Sequence, residues 1–404
     1  MADPARVFFR NPFYDGQLVR TLAAAPAGSA DLGEAMATAR RVGRLSGDAW
    51  HRAWSTTAQT ASRAAEESLA AGDTVSARLA YLRASEYARQ AFYFVRSDID
   101  DDRLQSSYHT HVESFRSALE LMDGPAHAVQ IPYEHTTLRG YLLAPAGADS
   151  KRPTVIFPAG YDSTAEAGWV NAPAALERGY NVVLFEGPGQ GGALYLQHLV
   201  FRPDFEHVLT PLLDWLLARP EVDPSSLVLV GRSFAGYLAP RAAAFEHRIA
   251  ALVCDPAQPD MGARIPDGFV GKIAAPVATL QTKLSAGRAE FFGARMAGHG
   301  LHSLAEYFTE LRRFTMIDFA PQITCPTLIV EADNDFAGGG GAQLASKLTD
   351  RAALVRLTAQ AGGDGHCAGL GQTLWAQTVY AWLARTLNIS SDTASDRITT
   401  AARR

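Results

Sequence analysis

The chain has 404 residues, room for a large core with an extension or insertion, and its 47% apolar and 20% charged residues describe a globular protein. That balance excludes a largely disordered chain and a disulfide-built miniprotein. With 37 basic against 42 acidic residues, a net charge of −5 offers no surplus of cations for a phosphate backbone, so the expected partner is a small neutral or apolar molecule and not nucleic acid.

Met1-Ala2-Asp3-Pro4 does not open the charged-then-apolar run of a secretion signal, and no stretch approaches the roughly 20 apolar residues of a membrane helix. Cys254, Cys325 and Cys367 are odd in number and widely spaced, with no C-x-x-C pair. A cytoplasmic protein without a membrane partner is the expectation. From Asp31 to Met122 the apolar spacing is helical. Trp50, Trp54, Ala58, Ala61, Ala65 and Leu69 form a stripe behind a cap expected at Asp48. A second helix starts near Asp73, with Val75, Leu79 and Leu82 on one stripe and Ala80, Ala84, Tyr87, Ala91 and Phe94 on another, which predicts burial on two sides. A third begins near Arg103, with Leu104, Tyr108, Val112, Phe115 and Leu119 in register. No second copy of the unit follows, which argues against a helical-repeat array.

After Gly124-Pro125 the texture changes to short β-rich runs. Residues 129–133 and 138–144 read as an antiparallel hairpin. Runs at 154–158, 181–186, 227–231, 250–255, 327–331 and 354–358 alternate with helical stretches, which predicts a mostly parallel sheet flanked by helices, an α/β fold. About seventy mostly helical residues separate the run ending at Asp255 from Cys325, far more than a strand-helix-strand link needs, and read as a lid. The expected organisation is a helical cap at 1–125, an α/β core at 126–257 and 323–390, a helical lid at 258–322 and a disordered tail at 391–404.

The strongest chemical signal is Gly231-Arg232-Ser233-Phe234-Ala235-Gly236, directly after the apolar run Leu227-Val228-Leu229-Val230 and before a helix-compatible stretch. A serine on such a strand-to-helix turn needs small neighbours two positions away on either side, here Gly231 and Ala235, and is exposed as a nucleophile. Its hydroxyl requires a base held by an acid. His366 follows the last predicted strand in Gly362-Gly363-Asp364-Gly365-His366-Cys367 and is the candidate base. For the acid, Asp335 is favoured over Asp333 in Glu331-Ala332-Asp333-Asn334-Asp335-Phe336; Asp255 is a third contender, read first as a cap or turn residue before Pro256. The oxyanion-hole donors are expected to be the N–H of Phe234 and, from Ala159-Gly160-Tyr161-Asp162, that of Tyr161. Gly187-Pro188-Gly189-Gln190-Gly191-Gly192 lacks the Lys-Ser/Thr ending of a phosphate loop and reads as a structural loop. The pairs His109/His111 and His299/His302 lie away from these residues and lack sequence-adjacent carboxylates, which argues against a metal. Phe269, Phe291, Phe292 and Tyr307 are candidate pocket walls, although aromatics at helical spacing are more often core.

With these residues in view, the chain resembles the α/β-hydrolase superfamily, in the branch of 2,6-dihydropseudooxynicotine hydrolase, the fungal yellowish-green polyketide-shortening hydrolases and FrsA-like esterases. The resemblance runs from about Trp50 to Leu387. It is carried by Tyr81-Leu82-Arg83-Ala84-Ser85, Ile131-Pro132-Tyr133-Glu134, Gly160-Tyr161-Asp162-Ser163-Thr164, Glu186-Gly187-Pro188-Gly189-Gln190-Gly191, the serine turn through Pro240-Arg241-Ala242, Asn334-Asp335 and Gly365-His366-Cys367. It implies an eight-stranded α/β-hydrolase fold closed over by the N-terminal helices and lid. It also implies a cofactor-free Ser-Asp-His triad at Ser233, Asp335 and His366. The implied substrate is a small carbonyl compound, cleaved at a carbon–carbon bond of a 1,3-dicarbonyl or at an ester, and analogy suggests a homodimer. Relatives usually carry Asp at Glu186, Gly at Ala235 and bulkier residues at 338–341. The competing readings are an acyltransferase or lactone-forming cyclase using the same residues, and a non-catalytic small-molecule receptor.

Overall fold

The computed structural model describes residues 6–147, 150–265 and 268–388, with the side chains of residues 264 and 268–273 left out. The tail expected at 391–404 and the Phe269 side chain lie outside the described residues.

Five helices come first: α1 (Pro12–Ala23), α2 (Leu32–Val42), α3 (Gly47–Ala70), α4 (Thr74–Phe92) and α5 (Asp102–Leu119). Each begins at a short polar side chain (Asn11, Asp31, Ser46, Asp73 or Asp101) that accepts a first-turn N–H otherwise without an intrahelical partner. The cap of α3 is Ser46 and not Asp48. Ser46 is extended, so its Oγ reaches the Ala49 N–H at 3.1 Å, while Asp48 sits inside the first turn and pairs with Arg103. Helix α1, unmarked by periodicity, does carry a local signal in Asn11 followed by Pro12 at its first position. Helix α4 buries two sides: Leu82 packs with the sheet, and Ala84, Tyr87 and Ala91 pack with Trp50, Trp54 and Tyr14. Val75, in its first turn, is 57% exposed.

Eight strands form one sheet in the order β1-β2-β4-β3-β5-β6-β7-β8: β1 (Ala126–Tyr133), β2 (Thr136–Leu143), β3 (Arg152–Pro158), β4 (Asn181–Phe185), β5 (Val222–Arg232), β6 (Ala251–Asp255), β7 (Thr327–Ala332) and β8 (Ala352–Leu357). The β1-β2 and β2-β4 pairs are antiparallel and the others parallel. Every residue of β4 and β6 is buried, because layers cover both faces, and their sequences are accordingly continuous apolar runs.

Helices α6 (Ala172–Leu176), α7 (Gly191–Tyr195), α8 (Glu206–Leu217) and α9 (Ala235–Ala243) fill the crossovers. Between β6 and β7 stand α10 (Gly268–Leu284), α11 (Ala286–Gly298) and α12 (Leu304–Leu311), while α13 (Gly341–Leu348) follows β7 and α14 (Gln372–Thr386) follows β8. One core layer packs α8 and α9 residues such as Leu212 and Leu238 on the sheet; the other packs Trp375 and Val379 of α14 with Phe115 and Leu119 of α5. The strand order reverses at β3, and the loops after β3, β5, β7 and β8 all leave the carboxyl edge of the sheet, where open α/β sheets form their crevices.

Candidate active site

Ser233 sits between the end of β5 and the start of α9 with φ of +58°. Its N–H is anchored on the Asp255 carbonyl at 2.8 Å. A Cβ at Gly231 would lie 2.1 Å from the Ala235 carbonyl oxygen, so the turn closes only around glycine there. At Gly236 a Cβ would lie 1.9 Å from the Pro256 carbonyl oxygen. That second requirement is set by the chain after β6 and has no signature in the local pattern. Ala235 itself fits, fully buried.

His366 Nε2 is 2.8 Å from Ser233 Oγ, and its Nδ1 is 2.8 Å from Asp335 Oδ1. The Asp335 carboxylate is fully buried and also accepts the N–H groups of Ala337 at 2.8 Å and Cys367 at 3.0 Å. Burial pushes that carboxyl upward, but His366 and the two N–H donors outweigh it and hold Asp335 below the usual carboxylate range. For His366, burial disfavours the cation, yet Cys367 and Asp335 beside it raise the imidazolium well above its ordinary value. The Cys367 thiol is itself pushed up by burial, so near neutrality Asp335 supplies the negative charge. Asp335, His366 and Cys367 each place a potential ligand atom within 4.8 Å of the others, but both imidazole nitrogens are engaged by Asp335 and Ser233.

The other two carboxylates are occupied elsewhere. Asp333 pairs with Arg356 at 2.6 Å and accepts the Ala359 N–H. Asp255 is neither a cap nor a neighbour in hydrogen-bond contact with His366: its Oδ2 accepts from Arg232 Nε at 3.0 Å. Of the glycines at 338–341, Gly340 and Gly341 are closely packed, whereas a Cβ at Gly339 would meet nothing within 4 Å. A Cβ at Gly340 would lie 2.6 Å from the Ala257 carbonyl oxygen, and the Gly341 N–H donates to Glu331 at 2.9 Å.

The loop after β3 runs against the serine turn: a Cβ at Gly160 would stand 3.2 Å from that of Ser233 and 3.5 Å from the Phe234 nitrogen. Among the described residues, neither the Phe234 N–H nor the Tyr161 N–H donates to a protein acceptor. The Tyr161 ring stacks on Phe234 at 3.8 Å, and its hydroxyl lies 2.6 Å from His299 Nε2. His299, expected to lie apart from these residues, is thus in contact with this loop from the end of α11. Burial and then Arg295 lower its imidazole to about 3, so it stays neutral. Next to Tyr161, Asp162 meets three arginines that are 66 to 142 residues away in sequence, contacts with no local signature.

Of the aromatic candidates, Phe291 lies under the Arg295 guanidinium at 3.5 Å, and Phe292 of α11 packs on Tyr307 and Phe308 of α12. Phe336, absent from that set, covers the His366 ring at 4.5 Å while 65% exposed. The loop at 187–192 is structural: Gly192 N–H donates to the buried Glu186 carboxyl at 2.7 Å. No helix among the described residues is long and apolar enough to cross a membrane.

No protein-family model matches the chain. It is 35% identical over 364 residues to the hydrolase acrC of Aspergillus aculeatus, covering 81% of this chain and 84% of that one. To the hydrolase LUC6 of a Fusarium species it is 33% identical over 355 residues, with the same coverage. The 20-hydroxy-prefusarin hydrolase FUS2 of Gibberella moniliformis is 34% identical over 256 residues, 61% of each chain. Among solved structures, 2,6-dihydroxy-pseudo-oxynicotine hydrolase superposes with a TM-score of 0.68 over 90% of this chain and 95% of its own at 22% identity. AbyA5 does so with 0.65 over 92% and 95% at 18% identity. At these identities the two structures speak for the shared fold alone.

Proposed function

We propose, from the premise that this chain belongs to the α/β-hydrolase superfamily and is a hydrolase, that it acts through a serine nucleophile and an acyl-enzyme. The observation that carries this reading is the hydrogen-bonded line from Ser233 through His366 to Asp335, with 2.8 Å at each step. Ser233 Oγ attacks the substrate carbonyl while His366 Nε2 takes its proton, and Asp335 holds the ring and stabilises the imidazolium. The tetrahedral oxyanion is received by the N–H groups of Phe234 and Tyr161, each donor contributing about 3–4 kcal/mol to the transition state. His366 returns the proton to the leaving group, an enolate carbon if a carbon–carbon bond breaks or an alkoxide if the bond is an ester. Water, deprotonated by the same imidazole, then releases the acid and restores Ser233.

The substrate on this reading is a small, largely apolar carbonyl compound. The rings of Tyr161, stacked on Phe234, and of Phe336, over His366, support it, as does a relative named for hydrolysing 20-hydroxy-prefusarin. The test is intact-protein mass spectrometry with p-nitrophenyl esters and 1,3-diketones on wild type, Ser233→Ala and His366→Ala. An acyl adduct on wild type that Ser233→Ala lacks, with turnover lost in both variants, is the expected result. Identical behaviour of the three proteins would overturn the assignment.

A further inference from the structure

We propose that Asp162 is a positioning residue for the oxyanion loop, tying it to the N-terminal helices and the lid so that the Tyr161 N–H is aimed only when both are docked. The inference rests on the reading of Tyr161 as an oxyanion donor and adds what holds it there.

Three elements remote in sequence converge on this one residue. Arg96, just past the turn that ends α4, donates to Asp162 Oδ1 at 2.9 Å. Arg295 of α11 donates to Oδ2 at 3.1 Å, and Arg20 of α1 donates to the Asp162 carbonyl oxygen at 2.7 Å. These are not loose surface pairs: the side chains of Arg96, Arg295 and Asp162 are 4%, 8% and 16% exposed. Two of the cationic arms are themselves fixed. Arg96 Nε donates to the Tyr93 carbonyl and its guanidinium lies 3.9 Å over the Tyr93 ring. Arg295 donates to the Phe291 carbonyl, lies over Phe291 and reaches across the Tyr161 ring at 5.0 Å. The lid grips the loop a second time through His299 on the Tyr161 hydroxyl. Residues 161 and 162 are thus held from the cap by two arginines and from the lid by an arginine and a histidine.

Charge makes Asp162 the keystone. Of the other acids nearby, Glu290 is taken up by the N–H and hydroxyl of Ser97, at 2.9 and 2.7 Å, and Glu86 by a two-point pair with Arg89. Burial works against ionisation of Asp162, but Arg295, Arg96 and Arg20 together hold its carboxyl far below the usual range. Without that carboxylate, cap and lid would bring guanidiniums together with nothing between them, and the loop would lose its two ion pairs, to Arg96 and Arg295. An oxyanion donor works through preorganisation, and a displacement of about 1 Å costs on the order of 100-fold in rate.

The test measures kcat, KM, the affinity of an alkyl boronic acid and thermal stability for wild type, Asp162→Asn, Arg295→Met, Arg295→Lys and the Asp162→Asn/Arg295→Met double variant. Expected are a 10- to 100-fold loss of kcat in Asp162→Asn and Arg295→Met, KM within about threefold, and boronate affinity falling in parallel with kcat. The double variant should be no worse than the weaker single one, and Arg295→Lys should recover part of the loss. If Asp162→Asn does not fold, the two Arg295 variants carry the test. Unchanged kcat and boronate affinity in the folded variants, or losses that multiply in the double variant, would overturn the inference and leave the serine reading intact. Turnover retained in Ser233→Ala would remove the serine reading, and this one with it.

Discussion

Ser233 adopts a backbone conformation that costs about 1–3 kcal/mol for a residue with a side chain, and its surroundings have to impose it. Gly231 and Gly236 do so by letting the turn close on Ala235 and on the chain at Pro256. Gly231→Ala and Gly236→Ala are therefore expected to destabilise the fold by at least about 1–3 kcal/mol, read as a lowered Tm, whereas Ala235→Gly should leave activity near wild type. The imidazole gives a second prediction at this scale. Because Asp335 raises His366 above its ordinary value, the acid limb of kcat/KM should lie above pH 6.5, activity being lost below it as the base becomes protonated. Asp335→Asn should move that limb to lower pH and cut kcat by about 10⁴, in a pH-rate profile of both proteins. The serine turn and the histidine loop are written in local residues. Asp333 and Asp335 are chemically alike and two positions apart, and what separates them is that Ala337 and Cys367 point N–H groups at one while Arg356 takes the other.

Among the elements, β4 and α7 are joined through a carboxyl that water does not reach. Glu186, at the end of β4, accepts from the Gly192 N–H at 2.7 Å, from the Ala165 N–H at 3.2 Å and from the Tyr108 hydroxyl of α5. Burial, and then the nearby charge of Glu166, push it up to about 8, so it carries a proton around neutrality. Its unfolded value is near 4.5; between the two the folded chain keeps a proton that the unfolded chain has released. The stabilisation is complete below pH 4.5 and is lost as pH rises through about 8. Thermal melts from pH 5 to 9 should therefore show a falling Tm in wild type and a flatter profile in Glu186→Gln, which mimics the neutral form. Central strands such as β4 and β6 were legible because burial on both faces demands unbroken apolar runs, and α4 because two stripes need two partners. The start of α3 was not: Ser46 and Asp48 can both cap, and the choice depends on which is extended as the chain arrives.

At the scale of the whole molecule the N-terminal helices and the sheet share one interior. Leu82, Phe115, Ala118 and Leu119 lie in the same apolar cluster as Tyr141, Val155 and Leu184, and Tyr108 and Val112 pack on Leu194 and Tyr195. A chain beginning at Ala126 would present that face to water and is expected to aggregate or to lack a cooperative melt by circular dichroism. Among the N-terminal helices, Trp50→Ala should cost about 3–5 kcal/mol, since Trp50 is fully buried among Tyr14, Trp54 and Phe94. By itself the sequence determined the alternation of strands and helices, the glycine-flanked serine and the histidine after the last strand. Each is specified by residues within a few positions of one another, through period, turn chemistry and steric room. Only the tertiary structure decided which carboxylate meets His366, that His299 touches the loop after β3, and that Arg20, Arg96 and Arg295 meet at Asp162. Charged side chains so far apart along the chain have no common period, and the closure of helices over the sheet alone brings them together.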